Sequence, residues 1–450
     1  MKKSLIKITA IMGTLISLVA CSSTNNISDQ HYFGTYKGVK QLRDPKDLDH
    51  SYTYEEYSSE GFIAFKNKMR AFSTKLSDSL IKREYVDGAN LAISPLSIEM
   101  CLGLAIKSSN GSTRQEMLDA IGIDYETFNQ YYKLFFDTLI FESKNFDGEL
   151  MAQLLLTNSI WIDDDIALKD DGLDALRDDY YCNSFAADFN GHNKESNQAI
   201  RDFIKEKTKG LIDQDLELSP YTLFVLMNTL YIKDIWNEEG RDLLLADFDD
   251  RFTNSDGTVS SQRLLRGNYN TGRTLETENY SSFYTSTNSG YRIYFVKPNA
   301  GKVLKEIFNE KTMNYVLDKT HYVYQDDEKM EKYFTNCIFP EYEANCDIDL
   351  TKPFKEDFNV RTLFTDDCDM SPLTDKEVFV KDFRQIAKLE VNKKGIEGAA
   401  VTYMAYAATS APDVTYKDVY ETFNVDKEFG YILTRRDNVI FSGVVTNIDK

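Results

Sequence analysis

The chain is poor in the residues from which most catalytic and metal sites are built. It has four histidines in 450 residues, His31, His50, His192 and His321. None stands at ligand spacing from a cysteine, which excludes the common zinc arrangements. Beyond Cys21, the cysteines Cys101, Cys182, Cys337, Cys346 and Cys368 form no C-x-x-C pair. Isolated thiols in odd number read as buried core positions, with a Cys337–Cys346 bridge left open. No G-x-S-x-G elbow, H-E-x-x-H helix, phosphate loop ending in Lys-Ser or Lys-Thr, or dinucleotide fingerprint occurs, and Gly267 and Gly272 flank a loop that fits none of them. Asp163, Asp164 and Asp165 are consecutive, so their carboxylates are expected to splay rather than converge. Cationic excess is missing too: 52 Lys and Arg face 72 Asp and Glu, a net charge of -20. Nucleic acids and heparin-like polyanions, which need clustered cations, are not expected partners. Neither a cofactor nor a metal is expected.

The N-terminus is more informative. Lys2 and Lys3 precede an apolar stretch, Leu5 to Ala20, that is short for a membrane span. It ends in Leu18-Val19-Ala20-Cys21, which matches a bacterial lipobox, in which the cysteine becomes the lipid-modified first residue. Several acyl chains hold a protein firmly where one is marginal. The expected layout is a lipoprotein signal peptide over 1–20, lipidation at Cys21, a polar tether over 21–57, and a folded domain over 58–450. The mature protein is expected at the bacterial cell surface, on its extracellular face and tethered to the membrane.

Within the folded part, Phe62, Phe65, Met69, Phe72, Leu76 and Leu80 recur at helical spacing. Further helices are expected over 97–107, 113–121 and 199–209. Leu154 to Ile162 and Leu223 to Ile232 are apolar runs suited to the middle of a sheet covered on both faces. Strands are also expected over 291–296, 337–342, 387–391, 430–434 and 439–445. Helices and strands without a regular βα rhythm indicate the α+β class.

Six segments, in order, carry a family resemblance. Asn90-Leu91-Ala92-Ile93-Ser94-Pro95-Leu96-Ser97-Ile98 is followed by Asn110-Gly111-Ser112-Thr113 and Thr208-Lys209-Gly210-Leu211-Ile212. Asn228-Thr229-Leu230-Tyr231-Ile232-Lys233-Asp234-Ile235-Trp236 is similar to N-A-L-Y-F-K-G-x-W, and Phe423 to Phe429 to F-x-A-D-x-P-F. Ile440 to Asn447 is similar to L-F-x-G-x-V-x-N. Together they resemble the serpin family across about 61–450. The resemblance implies a large central sheet with further sheets and a helical bundle, an exposed reactive loop, and a monomer that inhibits proteases rather than an enzyme.

The stretch from Glu390 to Thr402 resembles the hinge that precedes a serpin reactive loop. A trapping inhibitor inserts its cleaved loop as a new strand, so alternate side chains enter the core. Counted from Ile396, the inward set is Ile396, Gly398, Ala400, Thr402, Met404, Tyr406 and Ala408, none of them charged. The hinge as a whole comprises Gly395, Ile396, Glu397, Gly398, Ala399, Ala400, Val401 and Thr402, with Glu397 in the outward set. A charge at an inward site would cost several kcal/mol on burial. No charge occurs from Gly398 to Pro412.

By the family's count the scissile bond is Thr409-Ser410, with Ala408-Thr409 and Ser410-Ala411 as rivals. Small uncharged residues there suit elastase-like or subtilisin-like serine proteases, and a papain-like cysteine protease is open to the same route. Ser94, Ser97 and Asn228 match the family's central shutter cluster, where Gln385 replaces a histidine. Trp236 matches the place where the opening sheet first receives the loop. Lys393 replaces an acidic residue, and Ile396 is bulkier than the usual Thr or Ser. These departures motivate the alternative, a non-inhibitory binding or structural protein of the same fold.

Overall fold

The computed structural model describes residues 36–45, 52–144, 148–236, 241–247, 249–318, 322–381, 383–397 and 416–449. Residues 1–20, Cys21, Gly398, Ala399, Ala400, Val401, Thr402, Thr409 and Ser410 lie outside the described residues.

The first half is mainly helical: α1 (Tyr54–Ser58), α2 (Glu60–Glu84), α3 (Pro95–Ser108), α4 (Gly111–Ile121), α5 (Tyr125–Leu139), α6 (Asp170–Tyr180) and α7 (Asn193–Lys207). Its strands are β1 (Val39–Arg43), β2 (Leu91–Ile93), β3 (Phe141–Lys144), β4 (Leu150–Asp163), β5 (Cys182–Ala187) and β6 (Phe224–Ile235). Then come β7 (Leu244–Leu245), β8 (Arg251–Thr253), β9 (Val259–Arg263), β10 (Leu265–Thr271), β11 (Leu275–Glu276), β12 (Tyr280–Ser286) and β13 (Tyr291–Pro298). The last group is β14 (Gln325–Asp326), β15 (Glu331–Phe339), β16 (Tyr342–Asp349), β17 (Arg384–Val391), β18 (Gly395–Glu397), β19 (Lys417–Asn424), β20 (Phe429–Arg435) and β21 (Asn438–Val445).

Local chemistry sets these elements. α2 buries Phe62, Phe65, Met69, Phe72, Leu76 and Leu80 on one face, and Ser59 caps it by accepting from the Phe62 amide. The Ser94 side chain caps α3 and Pro95 opens it, where a missing N–H leaves no helical bond unmade. The Thr208–Ile212 turn ends α7: Thr208 Oγ1 donates to Ile204 O at 2.7 Å and accepts from the Ile212 amide at 3.2 Å. Gly210 sits at φ 84, a left-handed setting that favours glycine.

One long sheet runs in the order β1-β5-β4-β6-β18-β17-β16-β2-β21-β20-β13-β12-β11. A second contains β14, β15, β10 and β7, with β19 beside β15. Side chains of α2 and α3 pack with the inner face of the long sheet in the main core. α7 covers the other face of β4, β5 and β6 through Trp161, Phe185, Ile200, Phe203 and Val225. The class is α+β, as expected.

Two expectations need correction. The tether was expected to reach residue 57, yet Val39–Arg43 is an edge strand paired antiparallel with β5, and Tyr54–Ser58 is a helix opened by a Thr53–Glu56 capping box. A five-residue edge strand takes its stability from backbone bonds and one buried Val39, which leaves little hydrophobic pattern in the sequence. The single strand expected over 337–342 is instead the junction of β15 and β16. Pro340 has no N–H for a ladder, and the chain changes sheet there.

Candidate functional site

The residues singled out in the sequence converge on the middle of the long sheet. β18 lies between β6 and β17, antiparallel to both. Gly395 and Ile396 pair with Ile235 and Asp234, while Ile396 and Glu397 pair with Val391 and Glu390. Ile396 is 1% exposed and faces the core, and Glu397 turns the other way to accept from the Tyr231 hydroxyl at 3.1 Å. Glycine is required at 395, because a Cβ there would stand 1.8 Å from the Asp234 carbonyl oxygen.

The turn into β18 is held from several sides. Trp236 is buried and its indole N–H donates to Asn392 O at 2.7 Å. Asn392 Oδ1 accepts from the Lys394 amide at 2.9 Å. Lys393, the charge-reversed position, pairs through Nζ with Asp242 at 3.0 Å, and its amide donates to Glu341 Oε1 at 2.6 Å. Lys393 therefore has acidic partners on both its side chain and its amide.

Below β18 the ladder stops. Among the described residues, Phe224–Lys233 of β6 pair with β4 alone, and Arg384–Leu389 of β17 pair with β16 alone. Between these two facing edges lies a cavity of about 290 Å³. Ser97, Ile98 and Cys101 of α3 floor it, and Ile204, Thr208, Ile212 and Leu216, from the end of α7 onward, roof it.

The shutter residues line this opening. Gln385 clasps Ser94 through both amide atoms: Oε1 accepts from the Ser94 amide at 3.1 Å and Nε2 donates to Ser94 O at 2.7 Å. Ser94 Oγ donates to Ile440 O at 2.9 Å, and Ser97 Oγ donates to Asn228 O at 3.3 Å. Asn228 Nδ2 donates to Asn158 Oδ1 at 2.9 Å, whereas the buried Asn228 Oδ1 has no hydrogen-bond partner among the described residues. A buried acceptor without a donor is unfavourable by roughly 1–3 kcal/mol.

Sequence reasoning missed several contributors. Asp234 stands where the matched motif has glycine. It is 2% exposed, accepts from the Ser289 hydroxyl and the Ile235 amide at 2.8 Å, and burial pushes its carboxyl up to about 7. That difference was visible in the motif. Asn158, inside an apolar strand, and Asp242 and Glu341, far away in the chain, left no signal.

Elsewhere, the described cysteines are free, and Cys337 and Cys346 belong to different sheets. Burial pushes their thiols up, Cys346 to about 12. Asp163 and Asp164 do converge, contrary to expectation, because the chain brings Asp188 beside them with ligand atoms within 4.8 Å. Asp163 accepts from the Asp165 and Phe189 amides, and Asp188 from the Gly191 amide. These carboxylates secure turns.

The family model described as Serpin (serine protease inhibitor) matches residues 67–448. Antitrypsin of Bombyx mori is 23% identical over 393 residues, which cover 85% of this chain and 94% of that one. Iripin-8 of Ixodes ricinus is 23% identical, covering 80% of this chain and 88% of its own. Among solved structures, the thermophilic serpin tengpin in its native state superposes with a TM-score of 0.68 at 18% identity, over 91% of this chain and all of that one. Thyroxine-binding globulin in complex with thyroxine has a TM-score of 0.66 at 18% identity, over 85% of this chain and 99% of its own. At such identities the likeness to solved structures shows the fold alone. The matched model, spanning most of the chain, places the protein in the serpin family of serine protease inhibitors.

Proposed function

We propose that this protein inhibits proteases by suicide-substrate trapping, with the loop of about 395–412 as bait and the opening between β6 and β17 as its destination. The observation that supports this reading is β18 itself. Gly395, Ile396 and Glu397 already occupy ladder positions between the two strands, directly above edges that have no further partner among the described residues.

Continuing that register is simple, because each step along the loop moves one residue back along both neighbours. Gly398 then falls opposite Ile232 and Leu389, Ala400 opposite Leu230 and Ala387, and Thr402 opposite Asn228 and Gln385. All three share the inward face of Ile396. The Thr402 hydroxyl would reach Asn228 Oδ1, so insertion would satisfy a buried acceptor that has no partner among the described residues. Each new backbone bond adds roughly 1 kcal/mol, and a fully inserted loop makes on the order of ten.

In the reaction, the target's nucleophile attacks the Thr409 carbonyl, the amine of Ser410 departs, and an acyl-enzyme forms. Insertion then carries the attached protease away from the bond before water releases it. The chemistry belongs to the target, which the small loop residues mark as elastase-like or subtilisin-like. The protein acts as an exported monomer, anchored at the cell surface through lipidated Cys21, as the lipobox supports.

Mixing the protein with subtilisin or elastase tests this. The expected product is a covalent complex that survives SDS. Cleaved inhibitor beside fully active protease, across a panel of serine proteases, refutes it. The other reading, a non-inhibitory binding or structural protein, draws on the large Ile396 seated in the core at the hinge. It expects no rise in melting temperature after loop cleavage.

A further inference from the structure

β1 lies before the span matched by the family model, which begins at residue 67. It nevertheless joins the long sheet at its outer edge, pairing Val39, Lys40 and Gln41 with Ala187, Ala186 and Phe185. Val39 is 1% exposed and belongs to the apolar cluster between α7 and the sheet. Just before the strand, the Tyr36 ring packs 5.8 Å from Phe203 of α7, 6.0 Å from Phe185 of β5 and 6.2 Å from Trp161 of β4. The Tyr36 hydroxyl donates to Glu206 of α7 at 2.7 Å. At the other end, Arg43 Nε donates to Asp174 of α6 at 2.8 Å and Nη2 to Asp170 at 2.5 Å. One short segment thus fastens α6, α7 and the edge of the sheet to each other.

α7 is the element that matters for the opening. Its last turn and the residues after it roof the cavity through Ile204, Thr208, Ile212 and Leu216. A strand entering between β6 and β17 must widen the sheet beneath that roof, so a contact that ties α7 down raises the barrier to entry. β5 and β4 transmit the same restraint to β6 through continuous ladders.

We infer that the Tyr36–Arg43 segment is a strap that slows entry of an uncleaved loop by holding α7 and the β5-β4-β6 half of the sheet in place. The inference rests on the reading of the opening as the loop's destination. It makes the strap a regulator of working lifetime: while fastened, the bait stays available, and when loosened, the intact chain spends its own loop.

The test uses the full chain carrying Tyr36→Ala with Arg43→Ala, incubated below its melting temperature beside the parent. Samples drawn over time are scored for SDS-stable complex with subtilisin and for the melting temperature of uncleaved monomer. The double variant is expected to lose trapping capacity at least about ten-fold faster, since loss of one hydrogen bond to a charged group is enough for that factor. The inactive monomer is expected to be uncleaved and to melt higher. Tyr36→Phe, which removes only the bond to Glu206, should fall between them, and it carries the test alone if the double variant does not fold. Equal rates in parent and variants, with the parent still trapping subtilisin and gaining stability on loop cleavage, would overturn the strap and leave the trap standing. A cleaved parent that gains no stability removes the trap, and the strap with it.

Discussion

Ile396 stands directly opposite Asp234 in an antiparallel ladder, a buried aliphatic side chain at the root of the bait loop beside a buried carboxyl at the end of β6. The pair marks where the loop joins the sheet. The Asp234 charge also acts on the buried guanidinium of Arg435 on β20, opposing the downward push of burial there.

This arrangement makes the hinge sensitive to pH. Burial holds the Asp234 carboxyl up at about 7, against roughly 3.9 for a free aspartate. A raised acid favours the native state fully below its unfolded pKa, and that contribution disappears as pH rises through the native value. The window is therefore about pH 4 to 7, and the amount on the order of 4 kcal/mol. Glu99, buried beside Ser73 and pushed up to about 8, adds a similar slope that continues to higher pH. Melting temperatures measured across this range should fall less steeply for Asp234→Asn than for the parent. Parallel curves would show that Asp234 does not titrate as described.

Ala400→Arg tests the register. If the inserted loop continues the β18 register, residue 400 falls between Leu230 and Ala387 on the inward face, where burying a guanidinium costs several kcal/mol. The variant should be cut by subtilisin at the parent's rate while forming little covalent complex. Equal complex formation by variant and parent, read on the same gel, would refute inward insertion.

Gln385→Ala removes both halves of the clasp on Ser94 and leaves the buried Ser94 amide without its partner, while Ser94 O keeps the bond from the Ile98 amide. Urea denaturation should show a loss of about 1–3 kcal/mol. Gln385→His keeps a donor and an acceptor and should recover part of that loss. If Ala and His behave alike, the clasp contributes nothing beyond side-chain volume.

Trp236→Ala should loosen the hinge as well as the core. It empties a fully buried site and removes one of the two bonds to Asn392 O, and large-to-small changes of this kind destabilise by about 3–5 kcal/mol. Hydrogen exchange at the amides of β18 should accelerate selectively, ahead of that in β21. Uniform acceleration throughout the sheet would mean that Trp236 supports the fold and has no particular hold on the hinge.

Much of this was legible in the chain. The helical spacing from Phe62 to Leu80, the capping Ser94 with Pro95, and the doubly apolar runs of β4 and β6 are local patterns, and each became the expected element. The Cys337 to Tyr342 run was misread because alternation continues across Pro340 while the backbone leaves one sheet for another. β1 was overlooked because an edge strand has one buried face and is half stabilised by its neighbour. Asn158 was overlooked because a single amide in an apolar strand gains meaning only when Asn228 is placed beside it.

The order of residues alone determined that the segment after Gly395 has no charge to bury on one face, and that a stretch matching a lipobox stands near the start of the chain. These are properties of composition and alternation, which need no neighbours. Only the tertiary structure decided that β18 already sits in the ladder, that the edges below it have no further partner among the described residues, that Gly395 meets the Asp234 carbonyl, that Lys393 finds Asp242, and that Tyr36 reaches α7. The physical reason is separation: these contacts join residues that are distant in the chain, and backbone pairing and desolvation act between groups only once the fold has brought them together.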